Sequence, residues 1–167
     1  VQILADDEQL APRPAADVAA EALTAGLRQA DPEAAIAAIR ATRRRELFRI
    51  AAADLLSLLD VEQVGLALSA IADATIQAAL AVATQSVRVD DVPAEDLVEF
   101  VVVGMGRYGG QELGYGSDAD VMFVYRTRDG VGETEAAAAG TGVANELQRL
   151  LSLPSADPPI DLDADLR

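Results

Sequence analysis

The chain has 167 residues, 51% of them apolar but only 4% aromatic, and a formal net charge of −15. That length holds one ordinary domain or two small ones, and the acidic surplus argues against nonspecific nucleic-acid or anionic-membrane binding, because both rest on basic patches. Cysteine and histidine are absent, which excludes disulfides, zinc thiolate sites, cysteine nucleophiles and histidine-based triads within the chain.

Any chemistry must therefore use carboxylates, metal, backbone amides, arginine or hydroxyls. No apolar run is read as reaching the length of a membrane span, and no signal peptide is visible, so the expected location is cytoplasmic. The chain opens on Val1 and stops at Arg167 within a strand-like run. It reads as a piece of a larger protein.

Residues 1–14 are acidic, contain Pro12 and Pro14, and predict an irregular start. Val18, Leu23 and Leu27 then fall at helical spacing over 15–30. Asp31, Pro32 and Glu33 mark a new helix, with an N-cap, proline in the first turn and an early acid. Its apolar positions, among them Ile36, Ile39, Leu47, Ile50 and Leu55, carry it to about Leu59. Arg43-Arg44-Arg45 is the one concentrated basic patch. It reads either as a solvated face paired with Glu46 and acidic neighbours, or as a phosphate or partner contact. Asp60 and Gln63 form a capping box for a third helix, running to about Ser86. These helices read as core and scaffold.

Arg88 to Asp96 is polar, carries Pro93, and reads as a linker, with a boundary near residue 90. Leu97 to Val103 is a valine-rich, buried strand. Gly104 to Ser117 is a glycine-rich turn, and Asp118 to Tyr125 a second strand. A loop over 127–132 leads to a helix over 133–153, whose first half Gly140 and Gly142 weaken. After a loop over 154–159, the segment IDLDADL predicts a third strand with Asp161, Asp163 and Asp165 on one face.

Asp118 and Asp120 are one residue apart on a strand, so they share a face with Cα atoms about 6.5 Å apart. Two carboxylates beside a flexible glycine loop suit Mg²⁺ held against nucleotide phosphates. A third aspartate from a neighbouring strand completes the set that two-metal nucleotidyl transfer requires, and no histidine is needed. Close carboxylates repel one another unless solvent or a cation relieves them. The bland reading of Asp161, Asp163 and Asp165 is therefore the wet face of an edge strand.

Gly104-x-Gly106-x-x-Gly109 after a strand also matches the dinucleotide fingerprint. That motif must open a long helix, which Gly109, Gly110, Gly114 and Gly116 oppose. A plain hairpin connection is a further reading. In the favoured one, loop amides face phosphate oxygens and Arg107 adds positive charge.

At these residues the chain resembles a known family. GMGRYGGQELGYGSDADVMFVY resembles the signature of the bacterial glutamine synthetase adenylyltransferases, members of the polymerase-β-like nucleotidyltransferase superfamily. DPPIDLDADLR resembles the family's second signature, D-x-x-L-R, and RRRELFRIAAADLLSLLD resembles the helices before its catalytic core. The resemblance covers residues 32–167.

It implies transfer of AMP from Mg-ATP to a tyrosine hydroxyl of glutamine synthetase, under the influence of glutamine and a PII-type signalling protein. The family carries two such domains, one adenylylating and one removing AMP by phosphorolysis, and ELGYGSDAD is nearer the C-terminal, adenylylating copy. By position, Asp118, Asp120 and Asp163 are implied as the catalytic, metal-binding carboxylates, with Asp163 assisting deprotonation of the tyrosine. Gly104, Gly106, Arg107, Gly109, Gly110 and Ser117 match the nucleotide-facing loop, and Arg167 matches the terminal arginine. Ser117 is also placed to cap its own turn. The family continues past that arginine, which implies an incomplete site here, with weak ATP binding or poor turnover.

The expected architecture is α+β: a helical segment over 1–90, then a nucleotidyltransferase core over 91–167 with a short mixed sheet. Two alternatives remain beside AMP transfer. One is the adenylyl-removing copy, and the other is a non-catalytic module that senses nucleotide and binds a partner.

Overall fold

The computed structural model describes residues 10–157 and 160–166. The irregular start expected over 1–14 therefore falls mostly outside the described residues, as does Arg167. Three helices come first: α1, Ala15–Leu27; α2, Pro32–Leu55; and α3, Val61–Ser86. A hairpin of β1, Arg88–Val89, and β2, Val92–Pro93, leads through the single turn α4, Ala94–Leu97, into β3, Val98–Gly104. The turn α5, Gly106–Gly109, precedes β4, Ala119–Thr127; α6, Glu133–Ser152, and β5, Leu162–Leu166, follow.

The helix starts obey local chemistry. The Asp31 carboxylate accepts from the Ala34 N–H at 3.0 Å. At α3 the box is reciprocal: Asp60 accepts from the Gln63 N–H at 2.8 Å, and Gln63 Oε1 accepts from the Asp60 N–H at 2.9 Å. Each satisfies donors that the first helical turn leaves open.

The end of α2 comes earlier than the apolar spacing suggests. Ser57 turns left-handed at φ 59°. The Leu58 N–H donates to the Ala53 carbonyl at 2.9 Å and the Ser57 N–H to Asp54 at 2.8 Å. This is a Schellman ending without the glycine that would signal it. Leu55 and Leu56 are consequently exposed.

Two further expectations are corrected. The linker over 88–96 is the β1–β2 hairpin plus α4, closed by Asp90 and Asp91 at φ 49° and 68°. Two positive φ values in a two-residue loop define the turn whose twist suits a hairpin. An Asp-Asp pair lacks the glycine that normally advertises it. The second correction concerns α3, which is long and apolar enough to cross a membrane by length and composition. Its most apolar window is 61% buried inside the protein, where α1 and α2 pack against it.

The main sheet has the order β3-β4-β5. β3 and β4 are antiparallel, with Gly104 opposite Val121 and Val98 opposite Thr127. β4 and β5 are parallel, with Asp120 opposite Asp163. Ala119, Val121 and Phe123 alternate inward and are buried. Phe123 meets Phe100 with ring centroids 5.7 Å apart. These residues share one core with α1, α2, α3 and the end of α6, so apolar packing runs continuously from the helices into the sheet. A second cluster joins Ala94, Leu97 and Val98 to Ala136, Ala139 and Val143.

Gly140 lets α6 approach the sheet. A Cβ there would lie 2.6 Å from Cδ1 and 2.9 Å from Cγ of Tyr125, close to the root of that side chain. Gly140→Ala is expected to destabilise the fold by about 1–3 kcal/mol through overpacking, offset in part by about 1 kcal/mol of helix propensity. Gly116→Ala, where a Cβ meets nothing within 4 Å, should leave the urea midpoint nearly unchanged. Equal midpoints for the two variants would contradict this packing.

Candidate functional site

The site forms where β3 ends, β4 begins and β5 runs alongside. Asp118 and Asp120 project to the face opposite buried Ala119 and Val121, as strand alternation requires. The parallel register sets Asp163 beside Asp120. Carboxylate oxygens of Asp118, Asp120 and Asp163 all lie within 4.8 Å of one another. Asp118 and Asp163 are exposed and Asp120 is partly so. Asp161 sits just before β5, where its carbonyl accepts from the Ala119 N–H at 2.9 Å. The side chain of Asp165 lies outside the description.

Asp120 and Asp163 on adjacent strands, with Asp118 just ahead of β4 rather than within it as the sequence suggested, form a hard-oxygen set suited to a small divalent cation such as Mg²⁺. Their mutual repulsion favours such a cation. Asp118, Asp120 and Asp163 would hold it.

The glycine loop closes over these carboxylates. The Met105 N–H donates to the Asp120 carbonyl at 2.8 Å. Gly106 follows at φ 50°, and a Cβ on it would stand 2.3 Å from Asp120 Oδ2. Glycine is thus required twice over, by backbone conformation and by space. Gly109 folds back so closely that a Cβ would lie 2.4 Å from the Gly104 carbonyl oxygen. Gly104 ends β3, and Gly110 donates its N–H to the Gly106 carbonyl at 3.0 Å.

Arg107 is exposed and, with Gly110, lines an open cleft of about 750 Å³ between the loop and the start of α3. The Ser117 hydroxyl accepts from the Gly114 N–H at 3.1 Å, so it braces its own turn.

The loop is not followed by a long helix. α5 is four residues, and β3 and β4 run antiparallel. A dinucleotide turn needs a parallel crossover with a full helix, so that rival is set aside.

Two residues that hold the loop, Asp73 and Ser69, lie outside every motif quoted above. The Tyr108 hydroxyl donates to Asp73 Oδ1 of α3 at 2.5 Å. The Leu113 N–H donates to Ser69 Oγ at 3.4 Å, and the Tyr115 hydroxyl to Asp54 Oδ2 at 2.9 Å. One signal was present. Glu62 and Asp73 are the sole charged residues of α3, and Asp73 lies in its apolar middle. A carboxylate there needs a partner.

Burial, then the Asp73 hydrogen bond and charge, push the Tyr108 phenol well above its ordinary value. Burial and Asp54 push Tyr115 up to about 12.

The arginine run divides its work. Arg44 pairs with Asp157 at 2.5 Å, and Arg45 pairs with Glu21. Arg43 turns inward, where burial and neighbouring Arg40 lower its guanidinium to about 10. It lines a cavity of about 170 Å³ with Tyr115, Ser117 and Asp161. Buried Arg40 donates to the Leu151 carbonyl at 2.8 Å, tying α2 to the end of α6.

The phenol bonds set a pH dependence. A group whose pKa rises on folding contributes stability that is complete below its unfolded value, here about 10 for tyrosine, and is lost as pH climbs towards the folded value. Urea stability should therefore fall between about pH 10 and the higher folded values. Tyr108→Phe should cost about 1–3 kcal/mol at neutral pH, because it strands the Asp73 carboxylate, and should flatten the alkaline slope. An unchanged slope in that variant would refute the assignment.

Comparison with known proteins assigns the chain a family. A sequence model of the family described as glutamate-ammonia ligase adenylyltransferase matches residues 1–167. The bifunctional glutamine synthetase adenylyltransferase/adenylyl-removing enzyme of Nocardia farcinica is 50% identical over 159 residues, covering 95% of this chain and 16% of the relative. That of Streptomyces coelicolor is 44% identical over 171 residues, covering 95% and 17%. That of Mycobacterium tuberculosis H37Rv is 49% identical over 152 residues, covering 91% and 15%. The chain thus spans about a sixth of the length of the curated relatives it matches.

Proposed function

The chain belongs to the glutamate-ammonia ligase adenylyltransferase family, and from that premise we propose that it supplies the carboxylate site for AMP transfer from Mg-ATP to a tyrosine hydroxyl of glutamine synthetase. The observation that carries this reading is the convergence within 4.8 Å of Asp120 on β4, Asp163 on β5 and Asp118 just ahead of β4. Gly106 packed against Asp120 supports it.

In the proposed reaction the phenolic oxygen forms a bond to the α-phosphorus of ATP. The bond from that phosphorus to the bridging oxygen breaks, and pyrophosphate leaves. The phenolic proton passes to Asp163. Asp118 and Asp120 would hold Mg²⁺, which would supply positive charge to the triphosphate and to the attacking hydroxyl. Amides of the first turn of α5, from Gly106 to Tyr108, would receive phosphate oxygens, and Arg107 adds positive charge at the loop; the Gly109 and Gly110 N–H groups are taken by the Met105 and Gly106 carbonyls.

The relatives' names include adenylyl removal. The same carboxylates serve that direction if inorganic phosphate attacks the phosphorus of tyrosine-bound AMP: the new phosphorus–oxygen bond makes ADP, the bond to the phenolic oxygen breaks, and the tyrosine leaves and takes up a proton.

The test is transfer of radiolabel from α-labelled ATP to glutamine synthetase by the whole protein. Asp118→Asn and Asp120→Asn should each lower the rate on the order of a thousandfold, equivalent to about 4 kcal/mol of barrier. Labelling should stop when Mg²⁺ is chelated and return when it is restored. Full activity in both aspartate variants would end the proposal. Release of ADP from adenylylated glutamine synthetase, without forward labelling, would assign the removing direction instead.

A further inference from the structure

The face that bears the carboxylates does not stay polar. Beyond Asp120, the next residue of β4 on that face is Met122, followed by Val124. Across the antiparallel register Val103 stands opposite Met122, and Val101 opposite Val124. Val101 is 53% exposed, and Met122, Val103 and Val124 are partly exposed. An apolar strip therefore runs along β3 and β4 away from the glycine loop, with the acidic cluster at its head and Asp165 of β5 in register beside Met122. Charge and oil meet within one strand repeat.

That pairing suits a ligand with a polar tip on an apolar body. Cα positions two apart on a strand are about 6.5–7 Å apart, roughly the length of a phenol side chain from oxygen to Cβ. An oxygen at the carboxylates would leave its ring above Met122 and Val103. An aliphatic hydroxyl reaching the same carboxylates would leave the strip wet.

In-line displacement also chooses the side. Pyrophosphate leaves towards the glycine loop, which lies before β4, so the attacking oxygen comes from the opposite direction, over the strip. We propose that Met122 and Val103 seat the aromatic ring of the acceptor, and that this pair selects a phenol over an aliphatic hydroxyl. The inference rests on the AMP-transfer reading above and assigns its acceptor side.

The chain holds two methionines, Met105 and Met122, so methyl-labelled methionine gives a two-line NMR spectrum that Met122→Leu assigns. Titration with N-acetyltyrosinamide should move the Met122 methyl saturably through the ring current, and N-acetylserinamide should leave it in place. No movement with the tyrosine probe, or equal movement with the serine probe, overturns the proposal. So does displacement of the tyrosine probe by adenosine, which would put the base on the strip.

In the whole protein, Met122→Ala should raise KM for the protein acceptor on the order of tenfold, with KM for ATP unchanged. A rise confined to ATP overturns the assignment. If the tyrosine probe moves Met122 while the intact protein transfers no AMP, the transfer reading fails and the phenol seat stands.

Discussion

The hydrogen bond from Tyr108 to Asp73, 2.5 Å long and part-buried, ties the glycine loop to α3. Tyr108 belongs to the single turn α5, and that turn has no core of its own. Four residues cannot hold a helix in water. Packed against α3 through Tyr108, and continued by the Leu113–Ser69 contact, the turn becomes a fixed wall. Only then does Gly106 bear on Asp120. The helices thus reach the carboxylates through the loop rather than by touching them.

That arrangement answers an electrostatic problem. Three carboxylates within 4.8 Å repel one another, and a flexible loop would let them spread. The strands hold them instead. Asp120 and Asp163 are locked opposite each other by the β4–β5 register, and Asp118 sits just ahead of β4. Buried Ala119, Val121 and Phe123 hold β4 at the core. Sliding β4 by one residue would turn those side chains to solvent and the aspartates into the core. The cost of that slip keeps the acids together.

Local signals carried much of the fold. Asp31-Pro32 and Asp60-Gln63 start their helices where their chemistry places them, and the valine-rich run and the alternating IDLDADL segment became neighbours of β4. What escaped has a common cause. Ser57, Asp90 and Asp91 adopt left-handed backbone without glycine, so the end of α2 and the β1–β2 hairpin had no punctuation to read. Gly140 looked like a weakness in α6. It is the place where the helix touches Tyr125, a fact that depends on a partner distant in the chain.

The sequence by itself determined the chemistry available: carboxylates without histidine or cysteine, two aspartates on one strand face, and glycines where a loop must be tight. Those follow from residue identity and spacing, because side-chain alternation and helix capping act over a few residues. The family motif had already pointed to Asp163; the tertiary structure alone decided the register that sets it opposite Asp120, what anchors the loop, and that an apolar strip continues from the acids. Each depends on strand register and on helix-to-loop contacts across tens of residues, which no local pattern encodes.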